Sequence, residues 1–388
     1  MKKSLIATMV AGVFAASSAY AGIIIPAGDW TLDVNGNVNA YTSYAKMDGN
    51  NTIVGGLAQK PDALGTNHSY GINTGLLPSW LGFTGKTRQN DLDVSFTISM
   101  QPNVSDNSAA GDVNAPLFRQ AYLSFGDKSW GSIKLGKDIG VFASDAILND
   151  MTLLGVGAGG GTSGGATTLG GIGSGYIYAA WKGQVAYTTP NMNGLEATVA
   201  ITNPNQASQN TLNQDRFGLE GKASYSFAHD GLTGKVWTSG ASYKITPTTG
   251  SEYTALAGDV GAHVDVANFG LTGYYYKGEG AGTTTFGTNG ATAAGLKRDS
   301  DGWYTQATYT LPTKTKVGVA YGVSNLDKAN SSDTANLVDE NKRITFGAYH
   351  PLTKHLNLVA EYNNIETKSH TGLKNESNSV SLGAILFF

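Results

Sequence analysis

Apolar and polar residues alternate one for one along much of this chain, which fixes its local geometry before anything else is considered. Trp30, Leu32, Val34, Gly36, Val38 and Ala40 fall on one face, and Thr31, Asp33, Asn35, Asn37 and Asn39 on the other. A period of two is the period of a β-strand, whose successive side chains point to opposite faces. The pattern returns in Phe217, Leu219, Gly221, Ala223, Tyr225 and Phe227, interleaved with Gly218, Glu220, Lys222, Ser224 and Ser226. Near the end, Ile344, Phe346 and Ala348 oppose Arg343, Thr345 and Gly347, and Leu356, Leu358, Ala360 and Tyr362 oppose His355, Asn357, Glu361 and Asn363. A last segment carries Val380, Leu382, Ala384, Leu386 and Phe388 on one face. No amphipathic helical window of useful length separates these runs, and the 52 Gly and 19 Tyr in 388 residues suit strands and turns.

Alternation fits two architectures. In a soluble sandwich the apolar face is the core. In a closed barrel within lipid the apolar face points outward and the polar face inward, because closure leaves no unpaired backbone edge in the hydrocarbon. The connections separate the two. Tight turns near Asn90, Asp127, Asn193, Asp230, Asn268, Pro312 and Pro351 alternate with longer polar connections. The latter run from Met47 to Tyr70, Pro102 to Ala115, Asp138 to Tyr178, Asn203 to Gln214, Thr246 to Glu252, Gly278 to Ser300, Asn325 to Glu340 and Glu366 to Glu376. Strict alternation of short and long connections is the habit of transmembrane barrels of even strand number. The expectation is an all-β fold, a transmembrane antiparallel β-barrel of about 16 strands forming one domain over residues 22–388.

The N-terminus has its own signature. Lys2 and Lys3 precede an apolar stretch from Leu5 to Ala16 and the small-residue triplet Ala19-Tyr20-Ala21. Residues 1–21 thus read as a secretory signal peptide, with cleavage before Gly22; failed cleavage would leave a membrane anchor. Beyond it no window is apolar enough for a transmembrane helix. The chain has no cysteine, so disulfides and thiolate metal sites are excluded. Its net charge of −3, which becomes −5 once Lys2 and Lys3 are removed, gives no basic footprint for nucleic acid. Trp30, Tyr44, Trp80, Trp130, Trp303, Tyr349 and Phe388 lie near expected strand ends, where an interfacial aromatic girdle belongs; each is also an ordinary strand former.

A more specific signal runs through Leu117-Phe118-Arg119-Gln120-Ala121-Tyr122-Leu123-Ser124-Phe125, then Gly131-Ser132-Ile133-Lys134-Leu135-Gly136-Lys137-Asp138, then Gly140-Val141-Phe142-Ala143-Ser144-Asp145-Ala146. It resembles the general diffusion porins of the Gram-negative outer membrane. In that family an Arg-bearing strand, a tight turn and a Gly-x-x-x-x-Gly-Arg/Lys strand end precede a long third loop that folds inward and narrows the pore. Here the resemblance assigns that constriction loop to about 138–178. Val185-Ala186-Tyr187-Thr188-Thr189-Pro190-Asn191-Met192-Asn193-Gly194-Leu195 is similar to the family's strand-turn-strand after the loop, and the terminal Phe388 resembles the signal read by the outer-membrane assembly machinery. The resemblance implies a passive channel for small hydrophilic solutes and ions, embedded in outer-membrane lipids as a homotrimer, with no cofactor.

The chain also departs from the family. Trp80 stands before Leu81-Gly82-Phe83 where many members have Arg, Asn37 replaces a Lys of the first strand, and Leu153-Leu154-Gly155 with a Gly-rich tract replaces Pro-Glu-Phe-Gly. By alternation, Lys86, Arg119, Lys134, Lys182, Glu220 and Lys222 are the expected pore-wall charges, since a charge on the lipid face costs ~2–4 kcal/mol at mid-membrane. Asp138, Asp145 and Asp150 are the expected constriction-loop charges, so wall and loop carry opposite sign. Asp145 equally suits the cap of a short helix starting at Ala146.

Other functions find little support. Gly155, Gly157 and Gly160 match Gly-x-Gly-x-x-Gly formally, but no helix follows to receive a phosphate, and Gly85-Lys86-Thr87 has Trp80 where a phosphate loop needs Gly. The six histidines stand in no Ser/His/Asp or His-Glu-x-x-His setting, so neither a catalytic nor a metal site is expected. A structural or adhesive outer-membrane barrel and a substrate-specific channel are the alternatives, the latter hinted at by Tyr274, Tyr276 and Tyr304. Ion preference stays open.

Overall fold

The computed structural model describes residues 22–104, 117–161, 167–203 and 215–388. The expected signal peptide lies outside the described residues. The strands are β1 (Ile23–Ala27), β2 (Trp30–Asp48), β3 (His68–Asn73), β4 (Trp80–Gln89), β5 (Leu92–Gln101), β6 (Leu117–Asp127), β7 (Gly131–Ile139), β8 (Trp181–Thr188) and β9 (Leu195–Thr202). They continue with β10 (Gly218–His229), β11 (Leu232–Ile245), β12 (Tyr253–Val266), β13 (Phe269–Glu279), β14 (Asp299–Thr310), β15 (Lys316–Leu326), β16 (Val338–Pro351), β17 (Leu356–Ser369) and β18 (Lys374–Phe387). Helix is confined to α1 (Ser144–Leu148) and a 3-10 turn at Met151–Leu154 among the described residues.

Apart from β3, which pairs with β2 alone, each strand pairs antiparallel with the next, β2 doing so with β4, and β18 pairs back onto β2 from Phe387↔Asn37 to Glu376↔Asp48, which closes the sheet. Two strands do not add positions around the circumference. β3 and β4 share one place, pairing with the far and near halves of β2. β1, which sequence reading missed, pairs with Trp30 to Val34 of β2 just beyond the end of β18 and so prolongs the last strand's line. The barrel therefore has 16 strand positions, as alternation and loop lengths led one to expect.

The two faces separate cleanly. β13 alternates exposed and buried at every residue: Phe269, Leu271 and Tyr275 face out, while Thr272, Tyr274 and Tyr276 face in. Outside, rings pair across strands, as in Tyr44 with Tyr70 at 5.0 Å, Phe269 with Tyr309 at 4.6 Å and Trp303 with Tyr321 at 5.6 Å between centroids. Two members of the expected girdle are not in it: Trp80 and Tyr349 lie on the inward face and are buried. Both sit at strand ends, but strand parity, not position along the strand, decides which way a ring points.

All seven tight turns occur where expected. Asn90 and Asp91, and likewise Asp230 and Gly231, take positive φ, the conformation of two-residue hairpin turns whose twist matches the strands. The eighth long connection is a correction. β17 and β18 stay paired as far as Lys368↔Lys374, so the expected loop from Glu366 to Glu376 shrinks to residues 370–373. Its charged residues sit on the outward face of extended strands, where Glu366 receives Lys342 at 2.6 Å and Lys368 at 3.4 Å. Polarity there marks strand rising beyond the lipid band, not the start of a loop.

Candidate functional site

The segment between β7 and β8 is bonded to inward-facing side chains of strands spread around the barrel. Glu220 of β10 accepts the backbone N–H groups of Val141 at 2.5 Å and Phe142 at 3.1 Å. Ser239 of β11 accepts Ala143 N–H at 3.1 Å, and Gln306 of β14 accepts Met151 N–H at 2.9 Å. Glu361 of β17 accepts both Val156 N–H at 2.9 Å and Gly157 N–H at 2.8 Å. A segment in contact with so many inner faces lies inside the barrel.

Two loop carboxylates answer from the other side. Asp145 lies in the first turn of α1, held by Lys222 at 3.0 Å and by Lys235. Burial alone would raise its carboxyl, but the two lysines outweigh that and hold it below the usual range. Asp150 caps the 3-10 turn by accepting Thr152 N–H at 2.9 Å, and its other oxygen receives Gly171 N–H at 2.9 Å and Tyr176 OH at 2.8 Å. Burial, then the charge of Asp150, push the Tyr176 hydroxyl well above its ordinary value, so it donates as a neutral phenol. Arg343 of β16 approaches Asp150 at 3.7 Å and donates to Thr345 at 2.6 Å.

Sequence-chosen wall residues fall into four settings. Lys134 and Lys222 face inward and are partly exposed; Lys134 reaches Asp138 at 2.5 Å. Lys86 is exposed, in register with Ser95, whose hydroxyl meets that of Ser124. Lys182 and Glu220 also point inward, yet they pair at 2.7 Å beneath the loop backbone, with Tyr243 bonded to both, and are buried. They hold the loop and do not meet water. Arg119 is a correction: the inward parity belongs to Gln120, Tyr122 and Ser124, Gln120 donating to Asp138 at 3.1 Å, and Arg119 is left unpaired where the register shifts opposite Ser99 and Met100. Arg119 instead lies 6.0 Å from the Trp181 ring centre.

The loop candidates also shift. Asp138 belongs to β7 and is a buried wall residue. Asp145 does not cap a helix starting at Ala146, because α1 begins at Ser144 with Ala143 in the N-cap position. Tyr274, Tyr276 and Tyr304 form no open aromatic track; they are buried, Tyr304 lying 5.5 Å from Tyr274 and 5.7 Å from the loop's Tyr176 between ring centres. Sequence reading did not single out Lys235, Tyr243, Arg343 or Glu361. Alternation already puts Arg343 and Glu361 on the polar face, but nothing in one dimension ties them to residues about 200 positions away.

The inside is not uniformly filled. Facing β13 to β18 and β2, loop residues Ile147, Leu153, Val156 and Tyr176 pack with wall residues Tyr41, Tyr274, Tyr304 and Tyr349, and Phe286 from the β13–β14 connection joins them. Inward residues there, such as Asn341, Arg343, Thr345, Asn363 and Ser381, are at most 1% exposed. Along β4 to β7 and β9 to β11 the inward row includes Thr84, Ser95, Tyr122, Ser124, Lys134, Glu196, Thr198, Lys222 and Lys235, all half-exposed. Water reaches that half of the wall.

Compared with known proteins, residues 6–370 match the family described as Gram-negative porin. The chain belongs to that family. This porin has the fold of an outer-membrane channel, DcaP of Acinetobacter baumannii, at a TM-score of 0.72 and 16% identity over 95% of this chain and 100% of the other. An anion-selective porin from Comamonas acidovorans aligns with TM-score 0.65 and 15% identity over 92% and 100%. OmpT of Vibrio cholerae in its trimer form aligns with TM-score 0.57 and 13% identity over 92% and 99%. No curated protein matches the porin in sequence. As a porin it is a passive diffusion channel of the outer membrane.

Proposed function

We propose that solutes cross this porin along the half-exposed wall of β4 to β11, with the segment at about 138–178 acting as the constriction. What supports this path is the contrast between β13 to β18 and β2, where inward residues such as Asn341, Arg343, Thr345 and Asn363 are at most 1% exposed, and β4 to β7 and β9 to β11, where inward Thr84, Ser95, Ser124, Lys134, Thr198, Lys222 and Lys235 stay partly exposed. Lys86, Lys134 and Lys222, together with Lys235, line the open side. Lys182, Glu220, Asp138, Asp145 and Asp150 set the loop's position, and Arg119 flanks the path beside Trp181. The working unit is a homotrimer in outer-membrane lipid, carrying small hydrophilic solutes and ions. Residues 1–21 direct export, and Phe388 presents the chain to the outer-membrane assembly machinery; its backbone pairs with Gly36 at 2.9 and 3.1 Å and its ring lies over that glycine.

The channel is non-catalytic and needs no cofactor. Among the described residues one hydroxyl–imidazole–carboxylate chain exists, Thr272 to His263 at 2.8 Å and His263 to Asp265 at 3.0 Å. Its hydroxyl is the buried end and its carboxylate the exposed end, the reverse of what a nucleophile meeting substrate requires. The deciding experiment is single-channel recording of the purified mature protein in planar bilayers. Steps that come in threes support the trimeric channel, whereas a folded, inserted barrel that never conducts would sink it in favour of an adhesive or structural barrel.

A further inference from the structure

The charges on the water-facing half of the wall are not presented evenly. Lys134 has 30% of its side chain exposed while its partner Asp138 has 0%. Lys222 and Lys235 have 20% and 32% exposed, whereas Asp145, which bridges them, has 4%. Lys86 is exposed and makes no ion pair among the described residues. In these two groups the carboxylate is turned into the protein and the ammonium toward the lumen. Opposing charges on this stretch are Glu196, partly exposed on β9, and Asp33, partly exposed on β2 in register with Thr84. Arg88, with Asp93 at 2.8 Å and Asp127 at 2.9 Å, lies at the turn end, outside the stretch held by the loop.

A neutral pair is not electrically neutral to a solute that touches only one of its ends. With the carboxylate buried behind it, the pair acts as a dipole whose positive end lines the water path, and in the Lys222–Asp145–Lys235 group two ammoniums flank one buried carboxylate, with Glu196 within electrostatic reach of all three. Basic rings in a pore favour anions and acidic rings cations. At about 0.15 M salt, screening acts over ~8 Å, so a lumenal ammonium still governs the ions passing beside it.

We infer that this porin prefers small anions, carboxylates and phosphates among them, over cations. The inference rests on the path proposed above. It is tested by the zero-current potential of the mature protein in a planar bilayer under a tenfold KCl gradient at low total salt, for the unaltered chain and for Lys86→Glu and Lys222→Gln. Lys86→Glu changes a side chain with no partner to lose, so folding is not at stake in it.

The expected result is a potential of the sign set by chloride, corresponding to a permeability ratio of roughly three- to tenfold. It should shrink by at least about twofold in either variant and fade as salt is raised toward 1 M. Conducting channels with a zero or potassium-signed potential overturn the anion preference and leave the porin reading intact. A chloride-signed potential that neither variant moves overturns the assignment to this wall. Absence of any conductance overturns both the preference and the path.

Discussion

Glu361 on β17 accepts the backbone N–H groups of Val156 and Gly157 through one oxygen, joining wall and loop across about 200 residues of sequence. Its other oxygen receives Tyr349 OH at 2.7 Å, and a Cβ added at Gly155 would stand 1.8 Å from it, so glycine is what lets the loop come this close. Glu361→Leu leaves two amides and one phenol without an acceptor in a buried site, at about 1–3 kcal/mol each. We expect a lower unfolding temperature and noisier open channels, read by heat-shift electrophoresis and bilayer recording. Glu361→Gln, which retains an acceptor, should lie between the variant and the parent.

Asp145 sets the acid limit of the loop. Because Lys222 and Lys235 depress its carboxyl below the ordinary Asp value of about 3.9, its stabilising contribution is complete above that value. That contribution is lost as pH falls through the lower, folded-state value. Between neutral pH and about pH 5 the loop should be insensitive to acid through this group. Further down, the parent should lose stability more steeply than Asp145→Asn, which has no such proton to gain. Unfolding midpoints measured from pH 7 to pH 2 check this, and parallel curves for the two proteins would refute it.

Outside the barrel, Arg298 grips Asp333 through two hydrogen bonds of 2.7 and 2.8 Å, tying the β13–β14 connection to the β15–β16 connection. Arg298 also donates to the carbonyls of Asn289 and Ala291. Both charged groups are nearly buried, so Asp333→Ala strands a guanidinium and should cost about 3 kcal/mol locally. Limited proteolysis within residues 280–298 should then be faster by roughly a hundredfold where cleavage follows local opening.

Val260 lies near the middle of β12 and is 54% exposed on the outward face. Val260→Lys should destabilise the vesicle-inserted barrel by ~2–4 kcal/mol, as a cation at mid-membrane does. Thr198→Lys, inward and half-exposed on β9, should be tolerated. Urea unfolding in lipid vesicles separates the two; equal penalties would mean that the faces are assigned wrongly.

The strand count, the antiparallel order and the inward or outward direction of most residues in the segments read by alternation were legible in one dimension. Each depends on period-two alternation and on the length of the next connection, both local properties. Legibility failed where two local rules compete. At Arg119 a charge on the parity of outward Ala121 and Leu123 imitated a lumenal residue, and from Glu366 to Glu376 a charged strand end imitated a loop. β1 escaped because a short apolar hairpin beside a signal sequence carries no alternation to read.

What the sequence by itself determined is the barrel: a polar face and an apolar face can coexist in lipid only when the sheet closes on itself. What only the tertiary structure decided is which inward charges meet water. Lys182 and Lys222 stand two strands apart with the same inward parity, yet one is sealed under Val141 and Phe142 and the other faces the lumen. That difference comes from where a distant loop settles against Glu220, Glu361 and Arg343, and hydrogen bonds between residues so far apart in the chain leave no periodic trace in it.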